Sequence, residues 1–363
     1  MMSKYRAAVV GLGRIGWKLE DDPKRPHPCT HAGAIAALDD LELVAGASRS
    51  ATSAEEFQKR WHTAACYTDY REMVQTEEIE IASVATNPET HAQVVKDLSS
   101  LGVKGILCEK PIALSLRDAD EMIDCCEKHG TALMIMHNRR WNSIYLATRE
   151  LLKAGSIGNV NSVVGICQGC KPTKNWQSDF EGPLLHDATH LFDILRFFFG
   201  DVHWISSEVE RAAKTDRVED SAYSLIRFRN GVIATTLVNE RTDYMRFEIE
   251  IQCSHGKVVL QTNEAALWKF EPSKYASGFR ELVGADFPYP STRNNVYLEA
   301  FRELVECVRE KHAVRTSSGQ DGRAALEIIM GIYESKRNGV GKVELPLKSG
   351  PSHLEAAVRE LAF

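Results

Sequence analysis

Three groups of residues in this chain have types and spacings suited to chemistry. The first is Gly11-Leu12-Gly13-Arg14-Ile15-Gly16, a glycine-rich turn placed directly after an apolar run. There Gly11 permits a tight turn, Gly13 lets a pyrophosphate approach the backbone, and Gly16 lets helix and strand pack closely. The helix that the turn opens offers unpaired N–H groups to phosphates. The second group is Glu109-Lys110-Pro111, which also follows an apolar run. Ligands of parallel sheets bind beyond the carboxyl ends of the strands, which is where Lys110 falls. Pro111 has no N–H and a fixed φ, so it stiffens the segment that presents Lys110. The third group is His186-Asp187-Ala188-Thr189-His190, with Asp193 after it. Imidazole exchanges protons with an alcohol near neutral pH. Four titratable groups on an otherwise apolar helix are costly to bury unless paired or used.

The end of the second strand selects among dinucleotides. NAD enzymes usually place an acid there for the ribose 2′-hydroxyl. This chain reads Ala47-Ser48-Arg49-Ser50 instead. Ser48 can donate to a 2′-phosphate and Arg49 can pair with it. NADP is therefore the expected cofactor, with NAD possible.

The elements that must hold these groups fall into two regimes. Apolar runs at Tyr5 to Val10, Leu41 to Ala47, Ile79 to Ala85, Gly105 to Cys108 and Ala132 to Met136 alternate with amphipathic segments. The helices expected between them are Ala54 to Trp61, Tyr70 to Gln75, Glu89 to Leu101 and Leu116 to Lys128. This is the α/β pattern of a doubly wound parallel sheet, a Rossmann domain over residues 1–138. Lys18 to Thr30, with three prolines, interrupts the first crossover as a loop insertion, either a lid or a tolerated surface loop. Beyond it, residues 139–346 read as an α+β domain on an open, mostly antiparallel sheet, with Asn230-Gly231 and His255-Gly256 as turn signals. Leu184 to Phe199 reads as one helix, placing His186, His190 and Asp193 along one face with Asp187 beside them. Residues 347–363 are expected to form a tail with a short helix.

Composition narrows the function classes. The 363 residues suffice for two packed cores. A net charge of −6 argues against nucleic acid as partner. No apolar run is long enough to cross a membrane, and the first residues lack the layout of a signal peptide. Nine scattered cysteines read as reduced thiols of a cytoplasmic protein. Cys167 and Cys170 have ligand spacing, but no second pair follows, so no metal is expected.

In this order and spacing the three groups resemble the Gfo/Idh/MocA oxidoreductases, the glucose–fructose oxidoreductase and inositol dehydrogenase family. The resemblance runs from Tyr5 to about Pro346. It implies hydride transfer to or from a carbon of a sugar, sugar derivative or cyclitol. It makes Lys110 a ligand of the substrate oxygen beside the nicotinamide, with Glu109 holding the segment. It makes His190, before the Leu-x-Asp step, the proton donor or acceptor. Many members carry Asp four residues before that His, where this chain has His186 and then Asp187, so either is the expected helper. Ala85-Thr86-Asn87-Pro88 with His91 resembles the family's nucleotide-lining motif, although His91 could instead face solvent. Asn138-Arg139-Arg140-Trp141 and Asn175-Trp176 resemble pocket segments, where Arg139, Trp141 and Trp176 would grip hydroxyls, stack on a sugar face or equally serve as interdomain packing. Members commonly pair through the open sheet, which implies a homodimer or homotetramer. Two other readings are a non-catalytic nucleotide sensor of the same fold and a glycosidase using tightly held NAD.

Overall fold

The computed structural model describes residues 4–62, 65–169, 182–211, 218–290 and 292–347. Cys170, Trp176 and the expected tail from residue 348 lie outside the described residues. The chain forms two compact units, Met1–Trp141 with Asn294–Ala324 and Asn142–Arg293 with Ala325–Phe363. The first unit therefore extends past the expected boundary at 138 and takes in a helix, Val296–Glu310, that had been placed in the second domain.

In the first unit the strands are β1 (Tyr5–Val10), β2 (Leu41–Ala47), β3 (Ala65–Tyr67), β4 (Ile81–Val84), β5 (Gly105–Cys108) and β6 (Ala132–Ile135). They form one parallel sheet in the order β3-β2-β1-β4-β5-β6. The short β3 was not expected. The helices are α1 (His31–Ala37), α2 (Ala51–Trp61), α3 (Tyr70–Thr76), α4 (Pro88–Ser100) and α5 (Leu116–His129). Each begins where a side chain or proline suits a helix start. Thr30, Ser50, Asp69 and Ser115 accept a backbone N–H from the first turn, and Pro88 opens α4. The Val296–Glu310 helix joins this unit because Gly105 admits it. A Cβ there would lie 2.7 Å from Val308 and 3.1 Å from Leu304, so the helix lies directly on β5. Phe301 and Leu304 share a buried core with Val9, Ile35, Phe57, Leu107 and Met134.

In the second unit α6 (Ser143–Lys153) leads to β7 (Val160–Gln168), α7 (Pro183–His186) and α8 (Thr189–Phe199). Strands β8 (Val202–Glu210), β9 (Ser221–Phe228), β10 (Ile233–Asn239), β11 (Arg246–Cys253), β12 (Gly256–Leu260), β13 (Ala265–Pro272), β14 (Arg280–Ala285) and β15 (Val343–Glu344) follow. The sheet order is β14-β13-β12-β11-β7-β10-β9-β8-β15. All its pairings are antiparallel except β7 with β10. Period-two alternation sets its two faces. One cross-strand row, Ile205-Ile226-Ala234-Val163-Ile251-Val258-Leu267, is buried throughout. The expected single helix Leu184 to Phe199 is instead two. Ala188 N–H bonds back to Pro183 O at 2.9 Å, one residue wider than an α-turn, and His190 N–H bonds to Asp187 O at 3.2 Å, one tighter. A wide turn followed by a tight one shifts the helical phase between His186 and His190.

No helix among the described residues is long and apolar enough to cross a membrane. Eight cysteines there, Cys167 included, are free thiols.

Candidate active site

The glycine turn sits between the ends of β1 and β4. Gly11 has φ +100°, and a Cβ on it would lie 2.5 Å from the carbonyl of Ala85. Both facts demand glycine. Gly11 N–H donates to Ala47 O at 2.9 Å, and Ala85 N–H to Val10 O at 2.7 Å, so three strand ends are laced around the turn. A Cβ on Gly16 would lie 2.2 Å from the Gly11 carbonyl oxygen, so the turn closes upon itself. Gly13 is exposed, and a Cβ there would meet nothing within 4 Å. The N–H groups of Leu12, Gly13, Ile15 and Gly16 donate to no other described residue. An open face of backbone donors is what a pyrophosphate requires, so these residues fit a dinucleotide.

The turn does not open straight into a full helix as expected. One helical turn forms, with Trp17 N–H on Gly13 O at 3.2 Å, and the chain then leaves as the insertion. It re-enters at α1, where His31 N–H bonds to Ile15 O at 3.2 Å and Ala32 N–H to Gly16 O at 3.0 Å. The helix is thus spliced, with the insertion looped out of its side. Trp17 Nε1–H donates to Leu12 O at 3.1 Å, and its ring meets Phe57 edge-on. Glu20 accepts from Cys29 N–H at 3.0 Å and from the Thr30 hydroxyl at 2.7 Å, and its other oxygen lies 3.2 Å from His27 Nδ1. Glu20, His27 and Cys29 bring ligand-type atoms within 4.8 Å of one another. The hydrogen bonds already made by Glu20 explain that closeness. Burial, and then the Glu20 charge, push the Cys29 thiol up to about 11, so it stays protonated near neutrality.

At the end of β2, Ser48 is half-buried and its Oγ accepts Ser50 N–H at 3.2 Å. Arg49 is exposed and makes no hydrogen bond or ion pair with a described residue. After β4, Thr86 is half-buried, Asn87 exposed and Pro88 buried. His91 does not face solvent. It is fully buried, with Nδ1 2.9 Å from Pro111 O and Nε2 3.0 Å from Thr86 O. It ties the segment after β4 to the Lys110 segment. Burial lowers its pKa against the pull of the two carbonyls, and a neutral ring donates to only one of them at a time.

Glu109 follows β5, and its N–H bonds to Val84 O at 2.9 Å. Its carboxylate is buried, accepting from His31 Nε2–H at 3.0 Å and from Lys110 N–H at 3.2 Å. Burial pushes this carboxyl up, but the His31 hydrogen bond and the Lys110 charge outweigh it and hold the group below its ordinary value. Lys110 is half-buried, and the Lys110-Pro111 peptide is cis. The sequence reading missed His31. Its only signal was a histidine in the Ala/Gly-rich segment His31-Ala-Gly-Ala-Ile-Ala-Ala, where a polar ring is out of place unless it has a buried partner.

One expected pocket residue, Trp141, lies in a core. Trp141 is buried in the first unit's core and donates from Nε1 to Glu303 at 2.8 Å, so its ring packs rather than faces a sugar. Neighbouring Arg140 is also buried, donating to Thr316 O at 2.8 Å beside Asp321 at 3.3 Å. Arg139 is half-buried on the same 3-10 turn.

In the second unit His186, Asp187 and His190 are half-buried, and Asp193 is buried. His186 Nε2 lies 3.7 Å from Asp187 Oδ1, so the two candidate helpers adjoin each other. The wide turn puts Asp187 and His190 on the two sides of the α7–α8 break. Beneath α7, Glu219 accepts Leu184 N–H at 3.2 Å, and a Cβ on Gly182 would overlap its carboxylate. Burial pushes Glu219 up to about 7, with the nearby Tyr333 hydroxyl and the Leu184 N–H pulling the other way.

Comparison with known proteins decides what this arrangement belongs to. Residues 5–137 match the oxidoreductase family with an NAD-binding Rossmann fold, and residues 145–259 match the Gfo/Idh/MocA C-terminal domain. The chain belongs to the Gfo/Idh/MocA oxidoreductases. Among relatives in this family, D-apiose dehydrogenase of Paraburkholderia graminis is 25% identical over 355 residues, covering 93% of this chain and 89% of that one. Myo-inositol 2-dehydrogenase of Thermotoga maritima is 24% identical, covering 88% and 93%. The solved WlbA dehydrogenase of Bordetella pertussis, in complex with NADH and UDP-GlcNAcA, superposes with a TM-score of 0.78 at 21% identity, covering 95% and 100%. A parallel Rossmann sheet followed by a mixed, mostly antiparallel sheet is this family's architecture.

Proposed function

We propose that this Gfo/Idh/MocA protein is an NADP-preferring dehydrogenase or reductase. Its substrate carbon is a CH–OH or carbonyl of a sugar, sugar derivative or cyclitol. The observation that carries the reading is the end of β5. There a buried carboxylate and a buried histidine hold the segment of Lys110, in the same sheet as an open glycine turn. The sugar and cyclitol dehydrogenases among the relatives support the substrate class. The nicotinamide supplies or accepts the hydride when bound. Leu12, Gly13, Ile15 and Gly16 would hold its pyrophosphate by their N–H groups, and Thr86, Asn87 and Pro88 would line the nucleotide. We assign Lys110 to stabilising charge on the substrate oxygen and His190 to exchanging the hydroxyl proton, with Asp187 or His186 orienting the imidazole. The NADP preference is supported by Ser48 and by the exposed Arg49 at the end of β2, which bonds to no other described residue. A panel of sugars and cyclitols, each offered with NADP+ and scored by NADPH fluorescence, tests the reading. Binding of cofactor with no reduction by any of them would turn it toward a sensor.

The protein is further proposed to be a homo-oligomer through the outer face of the second sheet. Val164, Thr235 and Leu225 stand in one cross-strand row, and Ile166, Leu237 and Tyr223 in the next. Val164, Leu225 and Tyr223 are exposed. Glu250 and Glu248 edge the stripe on one side and Glu208 on the other. These acids are paired with Arg246, Lys257 and Lys336, and an apolar stripe rimmed by ion pairs is suited to a second copy.

A further inference from the structure

We infer that His31 is a positioning residue for the reaction, holding the Glu109 carboxylate that in turn fixes the backbone of Lys110. The inference rests on the reading of Lys110 given above. His31 is fully buried, and its Nε2 is 3.0 Å from Glu109 Oε1. The other carboxylate oxygen accepts Lys110 N–H at 3.2 Å. Two hydrogen bonds therefore link the imidazole to the lysine's main chain. The ring cannot drift. His31 begins α1, its backbone N–H is held by Ile15 O at 3.2 Å, and Tyr297 and Phe301 meet the ring edge-on at 5.7 and 6.0 Å. Nδ1 is buried with no hydrogen-bond partner among the described residues. A lone pair there costs less than a buried unpaired N–H, which places the proton on Nε2, facing Glu109.

The spliced helix gives this pair a second connection. Ile15, whose carbonyl holds His31 N–H, belongs to the glycine turn. Thr30, which caps α1, is held by Glu20 of the insertion. The side chain that fixes Lys110 is thus anchored to the cofactor loop and to the end of the insertion. The groups facing Glu109 are His31 from α1, His91 from α4, Tyr297 from the Val296–Glu310 helix, and Cys108 and Lys110 on its own segment. Of these, His31 and Lys110 favour the ionised carboxyl most directly, while burial opposes it. Without His31, Glu109 takes up a proton at higher pH, and Lys110 N–H loses its anionic acceptor.

The test compares His31→Leu, which has no donor, with His31→Gln, whose amide N–H can still reach the carboxylate. Lys110→Met and Glu109→Gln are run in parallel. Turnover is measured on whichever sugar or cyclitol is fastest in the panel above. His31→Leu should lower kcat at least about tenfold with NADP(H) affinity within about threefold, and should move the acid limb of the pH profile upward. His31→Gln should restore most of the loss, and in the Glu109→Gln background His31→Leu should cost little more. A readout independent of turnover is thermal stability. A carboxyl held low in the folded state adds stability above its unfolded pKa and loses it as pH falls through the folded one. The midpoint gap between wild type and His31→Leu should therefore widen as pH rises from the acid range in which Glu109 is protonated in both. Equal loss in the Leu and Gln variants, an unmoved acid limb, or additive effects would overturn the inference. So would near-normal turnover in His31→Leu while Lys110→Met is inactive. Full turnover in Lys110→Met would instead sink the reading of Lys110 itself. Should His31→Leu not fold, His31→Gln with Glu109→Gln carries the same comparison.

Discussion

At the scale of single residues, chemistry and recognition fall on side chains that can be separated by substitution. Lys110 and His190 meet charge, or a proton, that moves only as the reaction proceeds. Lys110→Met and His190→Asn should each lower turnover at least about a hundredfold, measured at saturating substrate. NADP(H) affinity should stay within a few-fold, because neither residue belongs to the glycine turn. Arg49 tests the cofactor preference. It is exposed and bonds to no other described residue, so Arg49→Ala should leave the fold alone. It should weaken NADP(H) by roughly ten- to a hundredfold, with NAD(H) little changed. Titrating both cofactors at one ionic strength reads this directly, and an equal effect on both would refute the assignment.

At the scale of elements, the glycine turn and the α7 segment show how local backbone is made to serve a site. Gly13 opens onto empty space, whereas a Cβ on Gly16 would lie 2.2 Å from the Gly11 carbonyl oxygen. Gly13→Ala should therefore keep stability within about 0.5 kcal/mol while weakening cofactor binding. Gly16→Ala should lose roughly 1–3 kcal/mol as well, because its Cβ overlaps the Gly11 carbonyl. Denaturant midpoints alongside cofactor titrations separate the two. Under α7 the buried Glu219 has a pKa raised from 4.5 to about 7. Between those values the folded chain holds a proton that the unfolded chain has released, so stability falls as pH rises through that window and levels off above it. Glu219→Gln keeps an acceptor for Leu184 N–H and should flatten that slope. Thermal midpoints across the window give the answer, and an unchanged slope would assign it to other groups.

At the scale of the whole molecule, the question is what covers the outer face of the second sheet. Tyr223 and Leu225 lie on adjacent rows of the apolar stripe. Tyr223→Glu with Leu225→Glu would set unpaired charges in the apolar stripe, where a second copy would desolvate them. The wild-type chain should sediment as a dimer or larger at micromolar concentration, and the double variant as a smaller species with its secondary structure intact. A wild-type monomer under those conditions would count against the stripe as an interface.

Much of this architecture was legible in the chain because it depends on local patterns. Apolar runs of strand length alternating with amphipathic segments specify a parallel sheet, and the strand Gly105–Cys108 falls where the pattern puts it. The glycine turn was readable because positive φ and close approach leave no other residue at Gly11. What the chain could not disclose depends on residues far apart in sequence or on one hydrogen bond of unexpected length. His31 and Glu109 are 78 positions apart and meet only when α1 is laid against the end of β5. His91 looks like a surface histidine until its two carbonyl partners are in place. Trp141 carries the same side chain whether it lines a pocket or fills a core, and only its bond to Glu303 decides. The α7–α8 break is invisible to helical periodicity, because it arises from a wide turn and a tight one in succession. Periodicity and steric demand act within a few residues and are written in the sequence, whereas burial and partnership belong to the packed chain.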